Sequence, residues 1–281
     1  MDNLQNKVAV VTGAASGMGL AFAHRFARAG MNVVMADIEQ PPLDEAVSDV
    51  AEHGTEVIST VTDVSDADSM DALAAATFDA FGTAHVVCNN AGVAGGITAG
   101  RGIDPANWKW VLDVNLWGVI HGHRVFLPKL VEQNEGHIVN TASMAGHFPG
   151  HSAYTASKWA VVGITLGLFR ELEGAGSNVG VSCLCPGWVR TKIAESDRNI
   201  PEWAVPRTLV EPTEEQQAAM AFITEALASG MEPDEVGELV YDAVTDGKFW
   251  IFTDMGMVAM LEDKHASIME NRNPAPFTLL Q

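Results

Sequence analysis

Basic residues are scarce in this chain: 16 Lys and Arg stand against 36 Asp and Glu among 281 residues, a formal charge of −20. Nucleic-acid backbones and anionic lipid surfaces are held chiefly by clustered Lys and Arg, so neither a nucleic-acid nor a membrane partner is expected. The acid excess fits solubility and a salty habitat equally well. Long hydrophobic runs are missing too, since nothing approaches the roughly 18 apolar residues of a membrane-spanning helix. The opening MDNLQNKVAVVTG lacks the basic start and extended apolar stretch of a secretion signal, which points to the cytoplasm. Cysteine is sparse: Cys88, Cys183 and Cys185 lie in strand-like segments at spacings that suit neither a disulfide framework nor a zinc site. Buried thiols are expected, and no metal site. Repeats, low-complexity tracts and linker-like stretches are absent as well.

What is present is an alternation. β-branched apolar runs at 7–12, 32–37, 55–60, 84–89, 136–142 and 178–185 are separated by stretches of helical period at 17–29, 41–53, 66–81, 105–133 and 152–173. Strands apolar on both faces and separated by helices predict a parallel sheet covered on both sides. The expected fold is α/β, a Rossmann-like doubly wound parallel sheet in a single domain spanning 1–281. After Cys185 the rhythm changes. A proline-punctuated stretch from 192 to 213 and helices at 213–229 and 233–245 precede a last strand at 248–253, so 192–247 reads as a helical, substrate-side insertion. A last helical stretch at 255–271 belongs to a C-terminal extension over 255–281.

The first strand runs into TGAASGMG, residues 12–19, and then an alanine-rich helix. Gly13, Gly17 and Gly19 let the backbone turn tightly and approach a pyrophosphate, whose charge is stabilised by the amides and dipole of the helix N-terminus. Ser16 and Met18 complete the loop. Their spacing differs from the G-x-G-x-x-G of most dinucleotide folds, yet Asp37 ends the next strand 18 residues after Gly19, as a ribose-binding acid should. Asp37 should accept from the adenosine ribose and repel a 2′-phosphate. No Arg or Lys lies in the loop or directly after Asp37, where Ile38, Glu39 and Gln40 follow. NAD is therefore expected over NADP.

TGAASGMG, NNAG at 89–92, Asn115, Ser143, and Tyr154 with Lys158 in YTASK together resemble the short-chain dehydrogenase/reductase family, over about residues 5 to 192. The resemblance implies an oxidoreductase moving hydride between nicotinamide and a hydroxyl or carbonyl group, as a homotetramer or dimer. It implies that Asp63 and Val64 flank the adenine and that Asn89 stands beside the cofactor, with Ala91 and Gly92 giving close backbone approach. Pro186, Gly187, Val189 and Thr191 would hold the nicotinamide. Asn115, Ser143, Tyr154 and Lys158 would form the catalytic tetrad, with Asn115 supporting a water relay to Lys158. The Ser143–Tyr154 loop is about two residues shorter than in other family members, so the substrate pocket is expected to be tighter.

The residue types suit that chemistry. Oxidising an alcohol requires its hydroxyl proton to leave as the hydride goes, so a positioned acid/base is needed. A free phenol, with a pKa of about 10, is too weak a base at neutral pH, but a nearby cation lowers it. Lys158, four residues after Tyr154, shares its helical face and can act on the phenol while reaching ribose hydroxyls. Such a pair alone reads as part of an amphipathic surface helix; Ser143, at a parallel strand's C-terminal end, reverses that balance in favour of a ligand site. Ser143 would stabilise the substrate oxygen, or else cap a turn. Asn115, a poor helix former at mid-helix, suggests a functional or kinking role, or a satisfied amide.

Met144, His147, Phe148, Trp188 and Trp203, with Met255 and Met257 as weaker candidates, are read as an apolar pocket for a small hydrophobic alcohol or ketone. His147 and His151 are separated by Pro149 and Gly150 and read as surface or loop histidines rather than a helical metal pair. The stretch 192–213, with Pro201, Pro206 and Pro212, reads as a lid or an oligomer contact. The part from 213 onward resembles members that act on aryl or other bulky secondary alcohols. Alternatives are an NADP-dependent carbonyl reductase, an epimerase or dehydratase, and a non-catalytic nucleotide-binding protein; the intact tetrad favours simple redox.

Overall fold

The computed structural model describes residues 1, 3–95, 104–205 and 213–275, so Pro206 and Pro212 of the expected lid and the end of the C-terminal extension lie outside the described residues. Strands β1 (Val8–Thr12), β2 (Asn32–Asp37), β3 (Val57–Val61), β4 (Val86–Asn89), β5 (Gly136–Thr141), β6 (Val179–Cys185) and β7 (Trp250–Phe252) form one parallel sheet in the order β3-β2-β1-β4-β5-β6-β7. β1, β4 and β5 are buried along their whole length, which is why they read as continuous apolar runs instead of alternating ones.

Helices α1 (Gly17–Arg28) and α2 (Gln40–Ala51) cover one face, and α3 (Ala67–Phe81), α5 (Gly118–Gln133) and α6 (Ala153–Gly174) the other, with α4 (Pro105–Leu112) packed against α6. Phe22 and Phe26 of α1 are fully buried in the first layer, Met70 of α3 and Phe126 and Leu130 of α5 in the second. Truncating one of these phenylalanines to Ala would cost about 3–5 kcal/mol. Beyond β6 come two 3₁₀ turns (Ile193–Asn199 and Glu202–Ala204), α7 (Glu214–Ala228), α8 (Pro233–Asp246), β7, α9 (Met255–Ala259) and α10 (Leu261–Met269).

The expected 192–247 insertion divides in two. α8 belongs to the sheet's own cover: Val236, Val240 and Val244 pack into the α1 layer, and Arg25 of α1 lies 3.3 Å over the Tyr241 ring. Among the described residues, the part of the stretch that faces the site is 192–203, with its two 3₁₀ turns, and the Ile223 and Leu227 edge of α7. All three cysteines are free and buried, as their strand setting predicts. Among the described residues, no helix is long and apolar enough to cross a membrane.

One element departs from the expected continuous 105–133 helix. Between α4 and α5 the chain makes a π-helical turn, Asp113–Trp117, centred on Asn115. Such an inserted residue re-aims the side chains around it.

Candidate active site

The C-terminal ends of the strands open into a cleft of about 820 Å³, where a doubly wound sheet binds its ligands. At its floor the glycine loop runs with φ +67° at Gly13 and +55° at Gly17, the left-handed region that glycine adopts without strain. A β-carbon on Gly13 would sit 2.9 Å from Ala91 Cα, and one on Gly19 only 2.0 Å from the Gly13 carbonyl oxygen. The loop can therefore close onto the α1 N-terminus only without side chains, and the resulting backbone cradle fits a dinucleotide pyrophosphate. Gly13, Ser16, Gly17 and Met18 line the cleft. Gly19 lies beneath the loop as a spacer.

Asp37, at the end of β2, lines the cleft, accepting from the Ala15 amide at 3.0 Å and the Glu39 amide at 3.1 Å. These bonds tie the acid to the phosphate loop. Asp63 and Val64 line the same end of the cleft, and Asp63 Oδ1 accepts from the Ser65 amide at 2.9 Å. Ala91 and Gly92 border the middle, and Pro186, Gly187, Val189 and Thr191 the opposite wall. There the Gly187 amide donates to Thr253 Oγ1 at 2.9 Å, and Trp188 and Arg190 pair with Met231 in bridge fashion.

Asn89 is not where the resemblance puts it. Side chains alternate along a strand, and Asn89 points to the same side as Val87, away from the cleft, donating to Asn140 Oδ1 at 2.8 Å. Gly122 of α5 leaves room for it, since a β-carbon there would come within 1.9 Å of Asn89 Oδ1. Asn90 lines the cleft instead: its amide donates to Thr12 Oγ1 at 2.9 Å, its Nδ2 to the Thr12 carbonyl at 3.0 Å, and its Oδ1 accepts from Thr141 at 3.2 Å. It knits the ends of β1, β4 and β5 together.

Asn115, 1% exposed, accepts from the Val93 amide at 2.8 Å and donates to the Val93 carbonyl at 2.9 Å and to Ser157 Oγ at 3.1 Å. The π turn thus aims the amide at the segment after β4 and clamps it to α6. All three of these partners are protein groups.

Ser143 stands just beyond the C-terminal end of β5. Its hydroxyl caps the 3₁₀ turn Met144–Gly146 by accepting from the Ala145 amide at 3.1 Å, and it also lines the cleft beside Tyr154. Tyr154 stands in the first turn of α6, fixed by the Ser152 cap, whose Oγ accepts from the Thr155 amide at 3.1 Å. Lys158 Nζ, one turn on, donates to the Thr141 carbonyl at 2.9 Å and lies 5.6 Å from the Tyr154 ring centroid.

Burial raises the Tyr154 pKa, opposed by its hydrogen bond with Ser143. The ammonium is turned toward the Thr141 carbonyl, and burial lowers its own pKa to about 8, partly offset by Cys185 and Cys183. Without a ligand, the phenol is therefore protonated and the lysine still mostly charged at neutral pH.

On the substrate side Met144, Phe148, Trp188, Trp203 and Met257 line the cleft, as read from the sequence. His147 does not: it is buried beyond the wall, with Nε2 3.5 Å from Cys185 Sγ and the Trp250 and Phe252 rings beside it, and burial lowers its pKa. Met255 also lies outside, 67% exposed. Sequence reasoning missed Trp108 and Trp110, which α4 adds to the wall; the alternating Trp residues of NWKW were the available signal. It missed Lys264 too, whose Nζ donates to the His147 carbonyl at 3.0 Å and lies 3.9 Å above the Trp159 ring. Trp159 Nε1 donates to the next carbonyl, that of Phe148, at 2.9 Å. Two neighbouring carbonyls of the loop that carries Phe148 are thus held from α10 and α6.

A basic group also reaches the Asp37 end. Arg198, from the 3₁₀ segment, donates to both Glu39 carboxylate oxygens, 159 residues away, at 2.7 to 3.1 Å. Sequence proximity to Asp37 gave no sign of it.

Residues 7–201 match the family model described as short chain dehydrogenase. The chain is 33% identical over 278 residues to the 1-deoxy-11-beta-hydroxypentalenate dehydrogenase of Streptomyces exfoliatus, covering 98% of this chain and 92% of that protein. It is 37% identical over 202 residues to the 2-(R)-hydroxypropyl-CoM dehydrogenase of Xanthobacter autotrophicus, covering 70% and 80% respectively. Among solved structures, a short chain dehydrogenase/reductase from Burkholderia phymatum in complex with NAD is similar with a TM-score of 0.92 and 42% identity, covering 99% of this chain and 100% of that one.

Proposed function

The chain belongs to the short chain dehydrogenase family, and on that premise we propose that it is an NAD-dependent oxidoreductase interconverting a hydrophobic secondary alcohol, aromatic or alicyclic, and its ketone. The observation that carries the reading is the meeting, in one cleft, of a side-chain-free phosphate cradle, Tyr154 beside Ser143 and Lys158, and an aromatic wall. A homotetramer or dimer in the cytoplasm is part of the reading.

Gly13, Ser16, Gly17 and Met18 would hold the pyrophosphate, Asp37 the adenosine ribose, Asp63 and Val64 the adenine, and Ala91, Gly92, Pro186, Gly187, Val189 and Thr191 the nicotinamide half. When bound, the nicotinamide supplies a hydride acceptor or donor and, when oxidised, a positive charge. The chain supplies the proton chemistry. Tyr154 takes the hydroxyl proton as the carbinol carbon loses its hydride, and returns it to the carbonyl oxygen in reduction. Ser143 hydrogen-bonds the oxygen as negative charge develops on it. Lys158 keeps its ammonium one turn from the phenol, where it opposes the effect of burial. Asn115 acts as a clamp, holding the Val93 segment against α6 and so fixing the nicotinamide side relative to Tyr154.

Reduced-nicotinamide absorbance on mixing the protein with NAD or NADP and a panel including 1-phenylethanol and cyclohexanol tests this. Turnover with NAD and a hydrophobic secondary alcohol is expected. Turnover with NADP alone would overturn the role given to Asp37, and turnover restricted to sugars would overturn the substrate class.

Lys264 offers a second check on the aromatic wall. Lys264→Met removes a donor to the His147 carbonyl and loosens the Phe148 loop, which Trp159 still holds. KM for a bulky alcohol should rise roughly tenfold, about 1.4 kcal/mol, with NAD affinity unchanged and partial rescue by Lys264→Arg. Steady-state kinetics with 1-phenylethanol checks it.

A further inference from the structure

We propose that Arg198 is a latent 2′-phosphate site and that Glu39, by occupying its guanidinium, is a determinant of NAD preference alongside Asp37; the inference rests on the cofactor reading above. Both residues line the cleft at the adenosine end, on elements far apart in the chain. A guanidinium fork matches carboxylate and phosphate alike. Here Nε and Nη2 are both spent on Glu39, at 3.0 Å to Oε1 and at 3.1 and 2.7 Å to Oε2.

The fork does not depend on Glu39 for its position. Nη1 donates to the Glu195 carbonyl at 3.0 Å and the Lys192 carbonyl at 3.5 Å, within its own segment. That segment is pinned independently, because Ser196, 4% exposed, accepts through Oγ from the Ala94 amide at 2.9 Å. Thr191 packs where a β-carbon on Gly17 would approach within 3.1 Å. The strap therefore runs from β6 past the phosphate loop to the end of β2, carrying Lys192 and Arg198 with it.

The charged groups at that end are Asp37, Glu39, Asp63, Glu195, Lys192 and Arg198, and Asn199 adds a hydrogen bond to Glu39. With Glu39 ionised, the Nε–H and one Nη2–H of Arg198 are held by its carboxylate, and both Asp37 and Glu39 repel a phosphate. Neutralising Glu39 changes both conditions at once: one repelling charge goes, and an uncharged acceptor holds the Arg198 fork more weakly than a carboxylate does. Asp37 remains, so the gain is partial and does not reverse the preference by itself.

The test measures dissociation constants of NADH and NADPH, by nucleotide fluorescence, for wild type, E39Q and E39Q/R198M. E39Q should improve NADPH binding relative to NADH by at least about tenfold, and the double variant should lose that gain. An unchanged ratio in E39Q, or a gain that persists without Arg198, overturns the proposal. The two cofactor readings fail separately: a wild-type preference for NADPH overturns the role given to Asp37, whereas the ratio between E39Q and wild type tests Glu39 whichever nucleotide wild type prefers.

Discussion

Tyr154→Phe should lower kcat for alcohol oxidation by roughly 10³-fold while leaving the dissociation constant for NADH within about twofold. The phenyl ring keeps the packing of the first turn of α6, and the Ser152 cap and the Lys158–Thr141 bond do not involve the hydroxyl. Only the proton is taken away. A merely structural role would predict the opposite pattern, a lowered melting temperature with activity retained per folded molecule. Steady-state kinetics, nucleotide titration and thermal melting on one preparation separate the two. An active variant would mean that the proton comes from elsewhere, and Tyr154 would then be no more than part of the wall.

The second large effect is at Gly19. A β-carbon there would stand 2.0 Å from the Gly13 carbonyl oxygen, 2.7 Å from its carbon and 2.8 Å from Asn90 Nδ2. Two of these are backbone atoms, so relief requires the phosphate loop to move. Overpacking of this kind costs about 1–3 kcal/mol, and moving the loop also disturbs the Ala15–Asp37 bond and Asn90. Gly19→Ala should abolish measurable NADH binding at concentrations that saturate wild type, with a reduced melting temperature. Gly163 is the control: in the exposed middle of α6, nothing beyond its chain neighbours and the helix's own backbone lies within 4 Å of its would-be β-carbon. There the same substitution should be neutral or stabilising by about 0.5–1 kcal/mol, with binding intact. Equal behaviour of the two variants would remove the argument that the cradle needs a bare backbone at this position.

Much of this was legible in the sequence because it depends on local signals. The β-branched runs located β1 to β7 to within a few residues, and the glycine spacing located the cradle. What was not legible depends on parity or distance. NNAG contains two asparagines, and which one faces the cleft is set by where β4 ends in its alternation, a one-residue matter that flips every side chain. Asn115 was marked as unusual by its poor helix propensity, but propensity does not say that the chain absorbs it as a π turn. Glu39 read as an ordinary acid after Asp37 because its partner lies 159 residues away. His147 and Phe148 are neighbours with opposite fates, one behind the wall and one in it, and the Lys264 and Trp159 contacts that fix their carbonyls come from other elements.

Burial sets the starting point of the Tyr154–Lys158 pair. Burial acts on both groups: it raises the phenol and lowers the ammonium to about 8. A phenol that works as a base in this cleft has to be helped by cationic charge that offsets burial. Lys158 is one source and the oxidised cofactor the other.

The pH dependence of kcat for alcohol oxidation, compared between wild type and Lys158→Met, tests that account most directly, because kcat reports ionisations in the loaded complex. The base must be ionised, so activity should rise with pH through a single limb, and reduction should fall over the same range. With the ammonium removed, the limb should move up by a unit or more. A limb that stays put in Lys158→Met, or a rate independent of pH, would contradict the assignment of Tyr154 and Lys158 as one proton-exchanging pair.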